Sequence, residues 1–354
     1  MSHPTAAPVI FEGVRKAYGD VVAVRDIDFT IDPGTLVTLL GPSGCGKTTT
    51  LRLIAGLEMA TAGRILIDGH DVTKLPATDR DVAMVFQSYA LFPHMSVLEN
   101  VAYGLKMSRK KTSEANEQAA AALAQIGLAG MEKRLPSELS GGQQQRVAVA
   151  RALVVEPRVL LFDEPLSNLD AKLRRKVRED IRELQLDLGL TVVYVTHDQD
   201  EALAVSDRII VMNNAVIAQQ GAPRDLYEQP ACRFVAGFVG DTNLLTLDTD
   251  GEADTKVVCF GSARLSLPGL DRANGHATLA IRPEVLDLHR ATPSDGALPA
   301  QVRKASYLGT HMEYTLETGA GELFVVARDV VAPFGIGDDV FIGAPRHGVT
   351  VIAD

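Results

Sequence analysis

A chain of 354 residues with 46% hydrophobic composition holds enough apolar material for two packed domains. No apolar run reaches the ~18 residues that cross a bilayer, and Met1–Val9 lacks the basic start and apolar core of a secretion signal, which predicts a chain kept in the cytosol. Of the net charge of −10, −7 falls on residues 241–354, which argues against nucleic acid and against direct adsorption to anionic lipid. Cys45, Cys232 and Cys259 are widely spaced, form no metal pattern and point to a reducing compartment.

Taken in chain order, Val9–Val14 and Ala23–Ile31 alternate as short strands, separated by turns at Gly19-Asp20 and Asp32-Pro33-Gly34. Leu36–Leu40 is a continuous apolar strand suited to a buried parallel sheet. It runs into a glycine-rich turn, and Thr48–Gly56 reads as the following helix. Residues 88–138 change character, with an alanine-rich helix at Ser113–Gly127, and read as a helical insert. Strand signals return at Val159–Phe162, Thr191–Thr196 and Arg208–Met212. Leu169–Leu188 reads as a helix whose apolar face is Leu173, Val177, Ile181, Leu184 and Leu188. Its basic cluster interleaves with acids, so it reads as a solvated face. Beyond Gly240 short alternating strands recur between Gly and Pro turns, which predicts a small all-β barrel over 241–354.

The glycine-rich turn is Gly41-Pro42-Ser43-Gly44-Cys45-Gly46-Lys47-Thr48, which fits a P-loop in its strand–turn–helix context. Backbone N–H groups from Gly44 to Thr48 are expected to cradle a β-phosphate at a helix N-terminus. Lys47 then reaches the β- and γ-phosphates, Thr48 gives its hydroxyl to Mg²⁺, and Thr49 lies near the α-phosphate. Cys45, at a helix N-terminus beside Lys47, is expected to be a reactive thiolate. Asp163 and Glu164 end an apolar strand, where two carboxylates are costly unless a cation or water uses them. Asp163 fits a Mg²⁺ partner through water. Glu164 fits the base that orients an attacking water. A second glycine-rich element, Leu139-Ser140-Gly141-Gly142-Gln143, opens an amphipathic run and offers donors to a further phosphate.

The combination of the P-loop, the Ser140-Gly141-Gly142-Gln143 element and Leu160-Leu161-Phe162-Asp163-Glu164-Pro165 resembles the ATP-binding cassette of ABC transporters, from about Phe11 to Val239. The resemblance implies an α/β P-loop cassette over 1–240 followed by a small all-β OB-like (TOBE) domain over 241–354. It implies ATP and Mg²⁺ as the bound species. It makes His197 the switch histidine on the γ-phosphate, Gln87 the Q-loop glutamine that senses Mg²⁺ and water, and Tyr18 the aromatic that stacks on adenine. Ser140, Gly141, Gly142 and Gln143 then act in trans on the partner's ATP, which implies a homodimer. Ser167-Asn168-Leu169-Asp170 matches the D-loop that crosses the dimer axis. Leu91–Asn100 is expected to form a groove for a helix of a membrane subunit, with Tyr89, Phe92 and Met95 at its surface and Leu98 and Val101 inside.

The tail motifs Ile281-Arg282-Pro283-Glu284 and Tyr307-Leu308-Gly309 are similar to those of importer ATPases. The resemblance therefore implies the ATPase subunit of a bacterial importer, peripheral on the cytoplasmic face of the inner membrane. Its expected partners are two integral membrane permease subunits and an extracytoplasmic solute-binding protein, with no nucleic acid. Ser206–Asn214 and Phe238–Leu245 look most like importers of ferric iron. Polyamine and 2-aminoethylphosphonate importers come next, and sugar importers fit less well. A soluble, non-transport ABC ATPase is the rival class, but such proteins carry tandem cassettes or a long coiled-coil insert, and this chain has neither. A pure nucleotide-gated regulator predicts a damaged Glu164 or His197, and both are intact.

Overall fold

The computed structural model describes residues 6–352, apart from 168, 252–254 and 274. It divides into two compact units, Met1–Pro223 and Arg224–Asp354. This division falls earlier than the change of sequence texture near Gly240.

In the first unit β1 (Val9–Tyr18) and β2 (Val21–Ile31) form a hairpin, followed by β3 (Leu36–Leu40) and α1 (Lys47–Ala55). Then come β4 (Ala62–Ile67), β5 (His70–Asp71) and β6 (Val82–Val85). The helices α2 (Val97–Met107), α3 (Thr112–Gln125) and α4 (Gly141–Leu153) precede β7 (Val159–Asp163). After these follow α5 (Ala171–Leu188), β8 (Thr191–Thr196), α6 (Gln199–Val205), β9 (Arg208–Asn213) and β10 (Val216–Gly221). An antiparallel sheet has the order β2-β1-β4-β5. A second sheet has the order β10-β9-β3-β8-β7-β6, parallel except for β10.

The apolar runs of β3, β7 and β8 are continuous because both faces of this sheet are covered. Val37, Leu39, Val159, Leu161, Val193 and Val195 pack with α1 and the antiparallel sheet. Leu36, Leu160, Phe162, Val192 and Tyr194 pack with α4 and α5. α4 turns Ala148, Val149 and Ala152 to that second core, and Val147 and Ala150 to a third core shared with α2 and α3. There Ala115 and Ala119 of α3 are fully buried, so small side chains let the insert helices approach closely. α2 starts at a capping box, Ser96 with Glu99, a start signal that the apolar reading of Leu91–Asn100 passed over. β4 and β5 also lack a clear alternation in the sequence.

The second unit begins within α7 (Pro223–Glu228) and continues through α8 (Arg233–Phe238). Among the described residues the strands that follow are β11 (Asn243–Asp250), β12 (Val257–Phe260), β13 (Ala263–Leu265), β14 (His276–Ile281), β15 (Leu288–His289), β16 (Ala297–Tyr307), β17 (Met312–Thr318), β18 (Gly321–Ala327), β19 (Asp339–Gly343) and β20 (Val349–Ile352). They form two antiparallel sheets, β13-β12-β11-β14-β20 and β15-β19-β16-β17-β18. Leu245, Phe260, Leu279 and Ile281 from one sheet share a core with Val302, Tyr314, Leu316 and Val325 from the other. The Asn243 amide joins the two, donating to the Phe324 carbonyl and accepting from the Phe324 N–H, each at 2.7 Å. Arg282 explains why this unit starts before Gly240. Its guanidinium donates to the carbonyls of Tyr227, Ala236, Gly240 and Asp241, which ties the two short helices to β14. Among the described residues no helix is long and apolar enough to cross a membrane.

Candidate functional site

The parallel sheet places β3, β8 and β7 side by side, with Leu40 opposite Thr196 and Asp163 opposite Val195. The segments that leave these three carboxyl ends therefore meet at one edge. They are the P-loop, His197 and Glu164. Such an edge is where open α/β sheets bind ligands.

The P-loop path depends on glycine. Gly41 has φ 155°, and a Cβ there would lie 2.3 Å from the Met212 carbonyl oxygen. Gly46 has φ 106°, and its Cβ would meet the Ala23 carbonyl oxygen at 2.4 Å. Gly44 needs only its positive φ of 80°, since its α-carbon faces open space. Gly46 is the N-cap of α1, so the first amides of that helix have no carbonyl one turn back. Lys47 is buried, and its ammonium donates to the Gly41 and Pro42 carbonyls at 2.7 and 2.9 Å. Thr49 and Ser43 sit in the same loop-to-helix segment. Cys45 departs from expectation. Its side chain is buried in the apolar core, and burial pushes the thiol pKa up, against a smaller lowering by Lys47. Burial outweighs Lys47 and the loop amides that favour thiolate, which corrects the expectation of a reactive thiolate.

The Thr48 hydroxyl faces Asp163 Oδ1 at 3.4 Å. Burial raises the Asp163 pKa and the neighbouring Glu164 charge adds to the rise, while Arg52, Thr48 and Lys47 oppose it. A divalent cation would relieve that cost. A hydroxyl and a carboxylate are the hard oxygen donors that Mg²⁺ prefers, so the residues present fit it. Among the described residues no cluster of three His, Cys, Asp or Glu side chains could hold a metal alone, so phosphate oxygens and water would supply the remaining ligands.

Glu164 adopts φ 44°, a left-handed backbone rare for a branched acid, and its N–H donates to the Val195 carbonyl. Its Oε2 lies 3.2 Å from Nδ1 of His197. Gln87 Nε2 donates to the Ser167 hydroxyl at 3.1 Å, and that hydroxyl donates to the Glu164 carbonyl at 3.1 Å. Gln87, Ser167, Glu164 and His197 thus form one chain of contacts beside Thr48 and Asp163. Asp170 caps α5 through the Leu173 N–H, and Asn168 lies outside the described residues.

Ser140 and Gln143 form a capping box at the start of α4. A Cβ on Gly141 would lie 3.1 Å from Leu169 Cδ2, and one on Gly142 would lie 2.9 Å from Leu173 Cδ1. The two glycines thus let this helix start close against the start of α5. Tyr18 ends β1 with its ring 46% exposed and the Lys16 ammonium 4.5 Å from its centre.

The loop after Gln87 differs in one respect from its reading. Tyr89 is buried, because left-handed backbone at Tyr89 (φ 61°) and Ala90 (φ 47°) turns the ring into the core of α4 and α5. Phe92 and Met95 remain half-buried, while Val101 is buried and Leu98 packs against the insert core.

Two further residues join the site that no motif announced. Arg174 of α5 donates to the Leu169 carbonyl and pairs with Asp198 at 3.2 Å, linking the Asp170 segment to the residue after His197. Glu201 is buried and accepts from Thr196 at 2.7 Å and Tyr194 at 3.1 Å, and burial raises its pKa. Nothing in the local sequence marked them, since Arg174 belongs to a basic cluster that reads as a solvated face.

Comparison with known proteins matches residues 24–167 to the ABC transporter family and residues 279–352 to the TOBE domain. The chain is 56% identical over 345 residues to an Fe(3+) ions import ATP-binding protein, FbpC, of Agrobacterium fabrum, covering 97% of each chain. It is 46% identical over 346 residues to the protein of the same name from Escherichia coli O157:H7, covering 98% of each. Among solved structures it is similar to the ATP-binding cassette MJ0796, a dimer bound to ADP and Pi. That match has a TM-score of 0.54 and 33% identity, over 61% of this chain and 99% of the other.

Proposed function

The chain belongs to the ATP-binding proteins of the ABC transporter family, and from that premise we propose that it is the ATP-hydrolysing subunit of a ferric iron importer. Relatives that bear the name of Fe(3+) import ATP-binding proteins align over nearly its whole length, P-loop and tail included. The observation that carries the catalytic reading is the Glu164–His197 contact, one residue from the Thr48–Asp163 pair at the mouth of the P-loop.

The residues divide the work. The loop amides and the first turn of α1 bind the β-phosphate, and Lys47 places its charge against the β- and γ-phosphates. Thr48 would hold Mg²⁺ directly and Asp163 through water, with Gln87 at its water shell. When bound, the ion neutralises charge on the β- and γ-phosphate oxygens. Glu164 orients a water and accepts its proton as the water oxygen attacks the γ-phosphorus and the bond to the ADP oxygen breaks. His197 holds the carboxylate in one orientation and faces the charge that develops on the transferred group. Tyr18 stacks on the adenine.

The helix start at Ser140 lies on α4, away from the P-loop in sequence, and offers its donors to the γ-phosphate held by a second copy. Gly141, Gly142 and Gln143 complete that surface, and Asp170 lies beside it. ATP then joins two cassettes and hydrolysis releases them. The cassettes act on two permease subunits at the cytoplasmic face of the inner membrane, fed by an extracytoplasmic solute-binding protein. The tail unit serves regulation and dimer stability.

The test is reconstitution with the permease and binding protein in liposomes. ATP-dependent entry of labelled ferric iron is expected, with loss of both uptake and hydrolysis in Glu164→Gln. Uptake of a diamine or a phosphonate in place of iron would refute the solute. Near-normal hydrolysis in Glu164→Gln would refute the base.

A further inference from the structure

We propose that Arg151 is a positioning residue that fastens the Tyr89–Met95 loop to α4, so that loop and helix move as one body when nucleotide binds. The proposal rests on the importer reading above for its purpose, but its geometry stands apart from it. Arg151 lies in the last turn of α4, the helix that Ser140 opens. One guanidinium nitrogen donates to the Ala90 carbonyl at 2.7 Å and another to the Tyr89 carbonyl at 2.8 Å. The guanidinium carbon lies 5.9 Å from the centre of the Phe92 ring.

Three features make this contact more than surface decoration. Tyr89 and Ala90 both have left-handed backbone, which side-chain-bearing residues adopt only where neighbours hold them. Among the described residues no carboxylate pairs with Arg151, so the loop carbonyls are its compensation for burial, and that burial lowers its pKa. The far side of the loop is held as firmly. The buried Asn100 side chain of α2 accepts from the Phe92 N–H at 2.8 Å and donates to the carbonyls of Phe92, Met95 and Ser96 at 3.0–3.1 Å.

The loop is therefore clamped between α2 and α4 and meets the catalytic edge at Gln87, through Ser167. A displacement of the helix that carries Ser140 reaches the Tyr89–Ala90 turn through this guanidinium and through the Tyr89 ring packed on α4, and Asn100 holds Phe92 and Met95 at the other end of the loop. A lysine reproduces this poorly, because it replaces two separate donor nitrogens and a planar face beside the Phe92 ring with a single point charge on a flexible stem.

Arg151→Lys is the test variant, with Arg151→Ala beside it. Hydrogen exchange is read on the full chain with and without MgATP. Exchange of the Ser88–Met95 amides is expected to rise about tenfold or more in Arg151→Lys, as fits the loss of a charged hydrogen bond. Amides of α4 and of the parallel sheet should keep their unsubstituted rates. In the reconstituted transporter, less iron should be moved per ATP hydrolysed. Unchanged exchange in the loop would overturn the proposal. So would exchange that rises equally in loop, helix and sheet, which would mark Arg151 as a general stabiliser. Failure of the unsubstituted transporter to move iron would instead count against the importer reading, and the exchange result would still decide the clamp.

Discussion

Lys47 of the first unit and Arg282 of the second are both buried cations and are used in opposite ways. Lys47 is 5% exposed and Arg282 is 4% exposed, so both have left water behind. The Lys47 ammonium has three donors and gives two of them to loop carbonyls. It sits at the open edge of a parallel sheet, on a stem that can rotate to a new acceptor. Arg282 spreads its donors over four backbone carbonyls and the Thr242 hydroxyl and stacks over the Tyr227 ring at 3.9 Å. Each of its three nitrogens donates to the backbone, so the guanidinium is held in place from several sides. The Lys47 ammonium also has the Cys45 sulfur at 4.0 Å, a weak acceptor that a phosphate oxygen could replace, whereas Arg282 is committed to backbone carbonyls.

Substitution separates the two most sharply. Lys47→Ala is expected to lower ATP hydrolysis by about 10²–10³-fold, the usual effect of removing one donor to developing charge. Its melting midpoint should stay near that of the unsubstituted chain. Arg282→Ala should do the reverse. It leaves several buried carbonyls unpaired, at a cost of about 3 kcal/mol, seen by calorimetry as a lower melting transition of the C-terminal unit. Nucleotide binding should persist. If Lys47→Ala melts early, or Arg282→Ala loses nucleotide while remaining folded, the distinction fails.

The cysteines sharpen the comparison. Cys45 lies inside the phosphate loop yet is buried, whereas Cys232 and Cys259 are only partly covered. A maleimide at neutral pH is expected to label Cys232 and Cys259 before Cys45, as mass spectrometry of peptides would read. First labelling at Cys45 would show that the loop opens in solution.

The smallest expected effect lies in the tail. The Tyr227 hydroxyl donates to Glu284 at 2.6 Å, and burial, then that carboxylate, push its pKa from 10.0 up to about 12. A raised folded-state pKa contributes stability that is complete below the unfolded value and is lost as pH rises through the folded one. Stability should therefore fall between pH 10.0 and about 12. Tyr227→Phe should flatten that decline, and an identical alkaline profile would remove Tyr227 as its cause.

The sequence was most legible where backbone geometry demands a residue type at a fixed place. Gly41 and Gly46 have no room for a side chain, and Ser140 with Gln143 writes a helix start in plain local terms. The apolar runs of β3, β7 and β8 reported a sheet covered on both faces. What stayed hidden depends on contacts between distant segments. Arg174 and Arg151 look like ordinary surface charges until the chain has folded around them, and the motif that holds Arg282 did not show which carbonyls it would bind. Cys45 and Tyr89 were misread for the same reason. Their neighbours in sequence suggested exposure, but Cys45 packs into the core and left-handed backbone turns Tyr89 inward.

The central claim is that one ATP site takes its P-loop from one copy and its Ser140 helix start from another. Sedimentation of Glu164→Gln, with and without MgATP, tests it most directly. Trapped ATP should convert the protein to a tight dimer. Adding Ser140→Arg should abolish that gain while leaving nucleotide binding intact. An ATP-dependent dimer that persists with Ser140→Arg, or its absence in Glu164→Gln with ATP bound, would contradict the shared site.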